Sequence, residues 1–253
     1  MTKKTPSSLD YETLLHGLAL QSWRRAVLEG DFGRAFQNAG KLAQSKDRFW
    51  RWQGGLDLAI THLCRGETRG ALAALETAIE GYPDVPGMMA PALEVQAHIL
   101  LEVGEPGRTV ELVAGVAFET PVLRYLRALA LIRLSPSQAA QAEMEVLLRQ
   151  AESMLPLSEP AGIPPLFALA SKLAERGEDG KALDVFERIS NRRDALLYWP
   201  IPYVRSFDCM AKIRERRGDR LTARSDWETF LSYWGAGDID RDRVEEALHF
   251  VKA

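Results

Sequence analysis

The chain has 253 residues, with 32 Lys plus Arg against 35 Asp plus Glu and a formal net charge of −3. That balance excludes the dense positive field that draws a protein to nucleic acid or to an anionic membrane, so neither is expected as a partner. The two cysteines, Cys64 and Cys209, stand in helix-like runs rather than in a disulfide framework, which points to a reducing compartment and a cytoplasmic location.

At the N-terminus MTKKTPSSLDYETLL turns polar and acidic where a secretory leader would be apolar, and no later run approaches the roughly 18 apolar residues of a membrane span. Residues 1–8 are expected to form a flexible tail, and 9–253 a single helical-repeat domain. The repeat shows through its glycines: a helix breaker is followed five residues later by a small side chain, in GDFGRA (Gly30, Ala35), GETRGA (Gly66, Ala71), GEPGRT (Gly104, Thr109), GEDGKA (Gly177, Ala182) and GDRLTA (Gly218, Ala223). The spacings are 36, 38, 73 and 41 residues. The doubled interval predicts a degenerate copy, supplied by LIRLSPSQAAQAEMEVLL with Ser135-Pro136 at the turn and Ala139 or Ala140 at the small position. That makes about six copies.

Each copy reads as two helices around a tight turn. In the second, Leu56, Ala59, Ile60 and Leu63 form one helical face. Gly66 ends that helix, where positive φ is needed. Ala71, Leu75, Ala78 and Ile79 form the facing stripe until Pro83 stops the second helix. Small side chains at Ala71 and Ala78 permit a close helix approach that Leu75 fills. A lone hairpin cannot bury such a face, whereas stacked hairpins can.

This series of Gly, Ala, large apolar, Ala and Pro resembles the tetratricopeptide repeat (TPR), whose unit of about 34 residues is a helix-turn-helix. The second copy matches best, and Gly177, Ala182 and Phe186, then Gly218, Ala223, Trp227 and Phe230, fit the same frame. The resemblance implies an all-α, right-handed superhelical solenoid of about six hairpins. Residues 154–165, with four prolines, are expected as a long connection rather than as a hinge between halves. After the last copy, GAGDIDRDRVEEALHF predicts a capping helix over about 240–252. Trp199-Pro200-Ile201-Pro202 is expected as a rigid loop edge before the sixth copy. The aromatic groups Phe49, Trp50 and Trp52, and Tyr198, Trp199 and Tyr203, are expected to pack between hairpins, with a partner hot spot as the alternative. The end of the chain also looks similar to helical-repeat regions that follow kinase or transcription-regulator domains in bacterial proteins.

Motifs for chemistry fall short. A phosphate loop at Gly180-Lys181 would need Gly at 175 and Ser or Thr at 182, where Glu175 and Ala182 stand. Asp238, Asp240 and Asp242 alternate as in a calcium loop, but Arg243 and His249 occupy the obligatory Gly and Glu positions. His62 and Cys64 point to different helix faces and have no second ligand pair. The expectation is therefore a protein with no catalytic residues, no metal and no cofactor. An unrecognised enzyme is the third-ranked class.

In TPR superhelices the first helix of each pair lines a concave groove. Carried onto this chain, the resemblance implies Arg205, Asp208, Lys212, Glu215 and Arg216 from the sixth copy as groove residues. It adds Glu94, His98, Leu101 and Glu102 from the third and Leu56, Ile60 and Leu63 from the second. Such a groove would be apolar near the N-terminal third and cationic near the C-terminal end, suited to a protein or peptide carrying an acidic part. Repeats that hold the C-terminal carboxylate of chaperones carry asparagines and lysines on these helices, whereas Asn38 and Asn191 lie elsewhere. The alternative is a structural or regulatory subunit that grips its partner by its convex face or edges.

Overall fold

The computed structural model describes residues 8–80, 90–117, 119–153 and 162–252, and its regular elements there are all helical. Six hairpins follow one another. They pair α1 (Ser8–Glu29) with α2 (Phe32–Ala43), α3 (Arg48–Cys64) with α4 (Thr68–Glu80), and α5 (Ala90–Glu102) with α6 (Pro106–Ala114). Next come α7 (Pro121–Leu134) with α8 (Gln138–Ser153), α9 (Ile163–Glu175) with α10 (Asp179–Ser190), and α11 (Pro200–Arg216) with α12 (Arg220–Trp234). The single helix α13 (Arg241–Lys252) caps the last pair, and a short 3₁₀ turn, Arg193–Leu197, joins α10 to α11. Each helix packs on the next, and first helices also touch along the series, α1 on α3, α5 on α7, α7 on α9 and α9 on α11. This is a solenoid with the first helices as its inner layer.

The turns explain the regularity. At the second hairpin Gly66 has φ +71°, and the amides of Gly66 and Glu67 donate to the carbonyls of Leu63 and His62. This is a Schellman ending, which a left-handed residue makes possible. The same pair of bonds closes α1, α5, α9 and α11 at the other four turn glycines. An acidic residue follows each of these glycines. Two of them, Asp31 and Asp219, accept a hydrogen bond from the next helix's third amide, from Arg34 and Thr222. The fourth hairpin turns without glycine because Ser135 is extended (φ −158°) and the hydroxyl of Ser137 caps α8 by accepting from the amide of Ala140. There Ala140, and not Ala139, takes the small position.

Ala35, Ala71, Thr109, Ala182 and Ala223 are fully buried, as are Leu75, Phe186, Trp227 and Phe230. Ala78 is buried as well. Thr109 keeps its hydroxyl satisfied by donating to the carbonyl of Ala97. Two glycines inside α3 give that helix its close neighbours. A Cβ on Gly54 would lie 2.1 Å from the amide nitrogen of Ala43 in α2, and one on Gly55 would lie 2.4 Å from the Cβ of Ala78 in α4. Gly54→Ala must therefore push α2 and α3 apart. We expect a net loss of about 1 to 3 kcal/mol, although Ala is ordinarily favoured over Gly in a helix by about 1 kcal/mol. A denaturant melt that shows no loss would refute the close contact.

Two expectations change. Trp199-Pro200-Ile201-Pro202 is no loop edge: Trp199 is the N-cap, and the two prolines sit in the first turn of α11, where their missing N–H groups have no intrahelical acceptor to lose. The loop expected over 154–165 yields its last residues, Ile163, Pro164 and Pro165, to the first turn of α9 for the same reason. Pro83, the tail 1–7 and the stretch 154–161 lie outside the described residues.

The solenoid curls until its two ends meet. The indole Nε1–H of Trp234 donates to the carbonyl of Leu63 at 3.0 Å, and the amides of Asp238 and Ile239 both donate to the carbonyl of Gly66. The carboxylate of Asp238 accepts from the amide and hydroxyl of Thr68, capping α4 across 170 residues of sequence. From the inner side α11 packs on α3, and the 3₁₀ turn packs on α1 and α3.

Candidate functional site

The closure decides what the inner face can offer. Arg205 holds Asp240 through two bonds, Nε–H to Oδ2 at 2.7 Å and Nη2–H to Oδ1 at 2.9 Å, and also donates to Glu102. The Arg205 and Glu102 side chains are only 13% and 7% exposed. His98 lies against Glu102 and Trp199. Burial, with help from Arg205 and Arg133, lowers the His98 imidazole to about 4 despite Glu102, so it is neutral at pH 7. Burial alone would raise the Glu102 carboxyl, but the Arg205 charge and hydrogen bond outweigh it and hold the group at about 2. Asp208, fully buried, stands 3.0 Å from Lys212 and pairs with Arg243 of α13. Lys212 also reaches Glu246 at 2.7 Å, and Arg216 reaches Asp179 at 2.7 Å.

The expected groove residues Arg205, Asp208, Lys212, His98 and Glu102 are thus brought together, but as an internal ion-pair network. The cations that were to meet an acidic segment already have carboxylate partners in the chain. Lys212 and Arg216 remain partly exposed, and Glu215 is exposed beside them. Leu63 and Leu101 are core residues.

One part of the inner face is left unfilled. Between α1, α3, α5 and the segment after the 3₁₀ turn lies a recess of about 400 Å³, walled by Trp23, Trp52, Leu56, Ile60, Val95 and Trp199. Three charged residues, Arg24, Asp57 and Glu94, and the amide of Gln53 also line it. Each arrives there through its helix. Trp23 is fixed by donating its Nε1–H to the hydroxyl of Thr61 at 2.9 Å, and that hydroxyl donates to the carbonyl of Asp57. Asp57 is wholly buried; one carboxyl oxygen accepts from Gln53 at 2.7 Å and the other has no partner among the described residues. Burial pushes this carboxyl from its usual 3.8 up to about 8, with Gln53 and Arg24 opposing and losing. Burial also raises Glu94, against a hydrogen bond from Thr120.

Leu56 and Ile60 line this recess. Trp23, Arg24, Gln53 and Asp57 were not anticipated. The available signal was a lone carboxylate between Leu56 and Leu58 inside an otherwise apolar run. The cysteines offer no reactive thiolate: burial raises Cys64 well above the ordinary thiol range and Cys209 to about 12. No described helix is long and apolar enough to cross a membrane.

No protein-family model matches the sequence, and no curated protein matches it. Among solved structures, a tetratricopeptide repeat protein from Parabacteroides merdae is similar with a TM-score of 0.46 and 15% identity, covering 95% of this chain and 100% of that one. The P58(IPK) TPR domain is similar with a TM-score of 0.36 and 14% identity, covering 99% of this chain and 71% of that one. At these scores neither likeness bears on function, and the fold described above rests on the packing of the helices.

Proposed function

We propose that the protein is a non-catalytic binding module that takes up a segment of another protein on the inner face of its first three hairpins. The observation that carries this reading is the recess itself. The chain's own C-terminal hairpin fills the inner face around Arg205 and Glu102, but leaves a cavity of about 400 Å³ beside Leu56 and Ile60. That volume is in the range of about 300 to 1,000 Å³ typical of ligand pockets, enough for one or two side chains of a bound segment. Its walls include three tryptophans, the residue type most often responsible for binding energy at interfaces.

Selection from a displayed random-peptide library on the immobilised full chain tests this. Enriched peptides are expected to lose at least tenfold in affinity on Ile60→Ser or Trp199→Ala, and to keep it on Arg216→Glu, a change in an exposed pair far from the recess. Enriched peptides that ignore Ile60 and Trp199 would contradict the proposal.

A second reading, contact through an edge, is favoured by α1. Leu14, Leu15 and Leu18 on that terminal helix are 59%, 47% and 57% exposed. Under that reading Leu14→Glu with Leu18→Glu abolishes binding and Ile60→Ser does not.

A further inference from the structure

The recess has a chemical preference written into its walls. Two carboxyl groups, Asp57 and Glu94, face it against one guanidinium, Arg24. Arg24 makes no ion pair with any described residue, and its field does not suffice to make Asp57 an ordinary carboxylate. A buried carboxyl oxygen with no partner is expensive to keep charged, and Asp57 accordingly holds its proton up to about 8 unless a counter-charge or a hydrogen-bond donor arrives. Trp227 Nε1 also lacks a hydrogen-bond partner among the described residues, but Asp57 lines an open recess, where a partner can supply the missing donor. The surrounding surface fits a donor of one kind. Indole faces attract cations, and the aliphatic stem of a long basic side chain lies well against Leu56, Ile60 and Val95.

We propose that the recess is an anchor pocket for a lysine or arginine side chain projecting from the bound segment, its cationic head facing Asp57 and Glu94 and its stem lying among Trp23, Trp52 and Trp199. This inference rests on the reading of the recess as the recognition surface and adds the chemistry of what enters it. An acidic side chain would meet two carboxyls and one guanidinium, and a purely apolar one would leave the free oxygen of Asp57 unsatisfied. The other charged or titratable groups around the recess are Arg24 from α1, Glu94 from α5 and Tyr198 from the segment before α11. Because the head requires Asp57 ionised, affinity rises as pH is raised towards about 8, and the bound cation pulls the Asp57 carboxyl back down.

The test uses the full chain and two small probes, Nα-acetyl-lysine N-methylamide and its norleucine counterpart, which lacks the ammonium group. Each is titrated at pH 6 and pH 8, with tryptophan fluorescence and indole N–H shifts as readouts. The lysine probe is expected to saturate at millimolar concentration, more tightly at pH 8, and to lose at least tenfold in affinity on Asp57→Asn, whose fold is checked by its melt. Equal binding of the norleucine probe would overturn the cationic preference while leaving the recess reading intact. Unchanged lysine binding by Asp57→Asn would overturn the role of Asp57. If neither probe saturates, the anchor pocket is wrong, and the recess reading is then decided by the peptide selection alone.

Discussion

Replacing Arg205 by methionine is expected to lower stability by about 3 to 5 kcal/mol, the range for breaking a buried ion pair by removing one partner. The change leaves the buried Glu102 and Asp240 with only longer contacts, to Arg133 at 3.9 Å and Arg243 at 3.8 Å, although methionine fills similar space against Trp234. Glu102→Gln is the milder companion, because Arg205 keeps both bonds to Asp240. The pH dependence separates the two effects. Glu102 is held at about 2 against its usual 4.5, so the unfolded chain binds the proton first. Its contribution to stability is fully present above about 4.5 and is lost as the pH falls through about 2. Arg205→Met should remove that acid-side slope together with the stability. Urea melts of both variants between pH 3 and pH 7 measure it, and an Arg205→Met melt equal to wild type would show that the network does not form.

Asp57→Asn is expected to act in the opposite direction. The Asp57 carboxyl titrates at about 8 in the folded protein and near 3.8 when unfolded, so between those values the folded state holds the extra proton. Stability of the wild type therefore falls as pH rises from about 4 to about 8, and the full cost is present above 8. The asparagine carries no charge and removes that slope. The variant should gain over the wild type progressively from pH 6 to pH 9, reaching roughly 2 to 5 kcal/mol. A stability gain at a residue that lines a cavity is what a site residue kept for binding rather than for folding produces. Wild-type stability that stays flat from pH 6 to pH 9 would contradict the buried, unpaired state of Asp57.

The hairpins were legible in the sequence because their information is local. A Gly-acid pair ends one helix and starts the next, and an alanine five residues on lets the two helices touch. Even the missing glycine at Ser135 was recoverable from the doubled spacing. The closure was not legible, since it joins Glu102 to Arg205 and Leu63 to Trp234, 103 and 171 residues apart, and helical periodicity reports only which residues share a face. The positions implied by the repeat lie on α3, α5 and α11, and the sequence could not show that α11 would pack back on α3. For the same reason Arg205 and Lys212 read as free cations, and Asp57 was hidden in an apolar run. The prolines at Pro200 and Pro202 read as a loop because they cannot sit inside a helix, whereas the first turn accepts them.

Closure of the two ends is the central claim, because it fills most of the inner face and leaves the recess beside Asp57. Residue-resolved amide hydrogen exchange of the native protein tests it most directly at Asp238 and Ile239, whose amides donate to the carbonyl of Gly66 and lie outside any helix. Closure predicts that both exchange as slowly as amides inside α11 and α12. Exchange at the rate of an unstructured chain, while α11 and α12 stay protected, would contradict it.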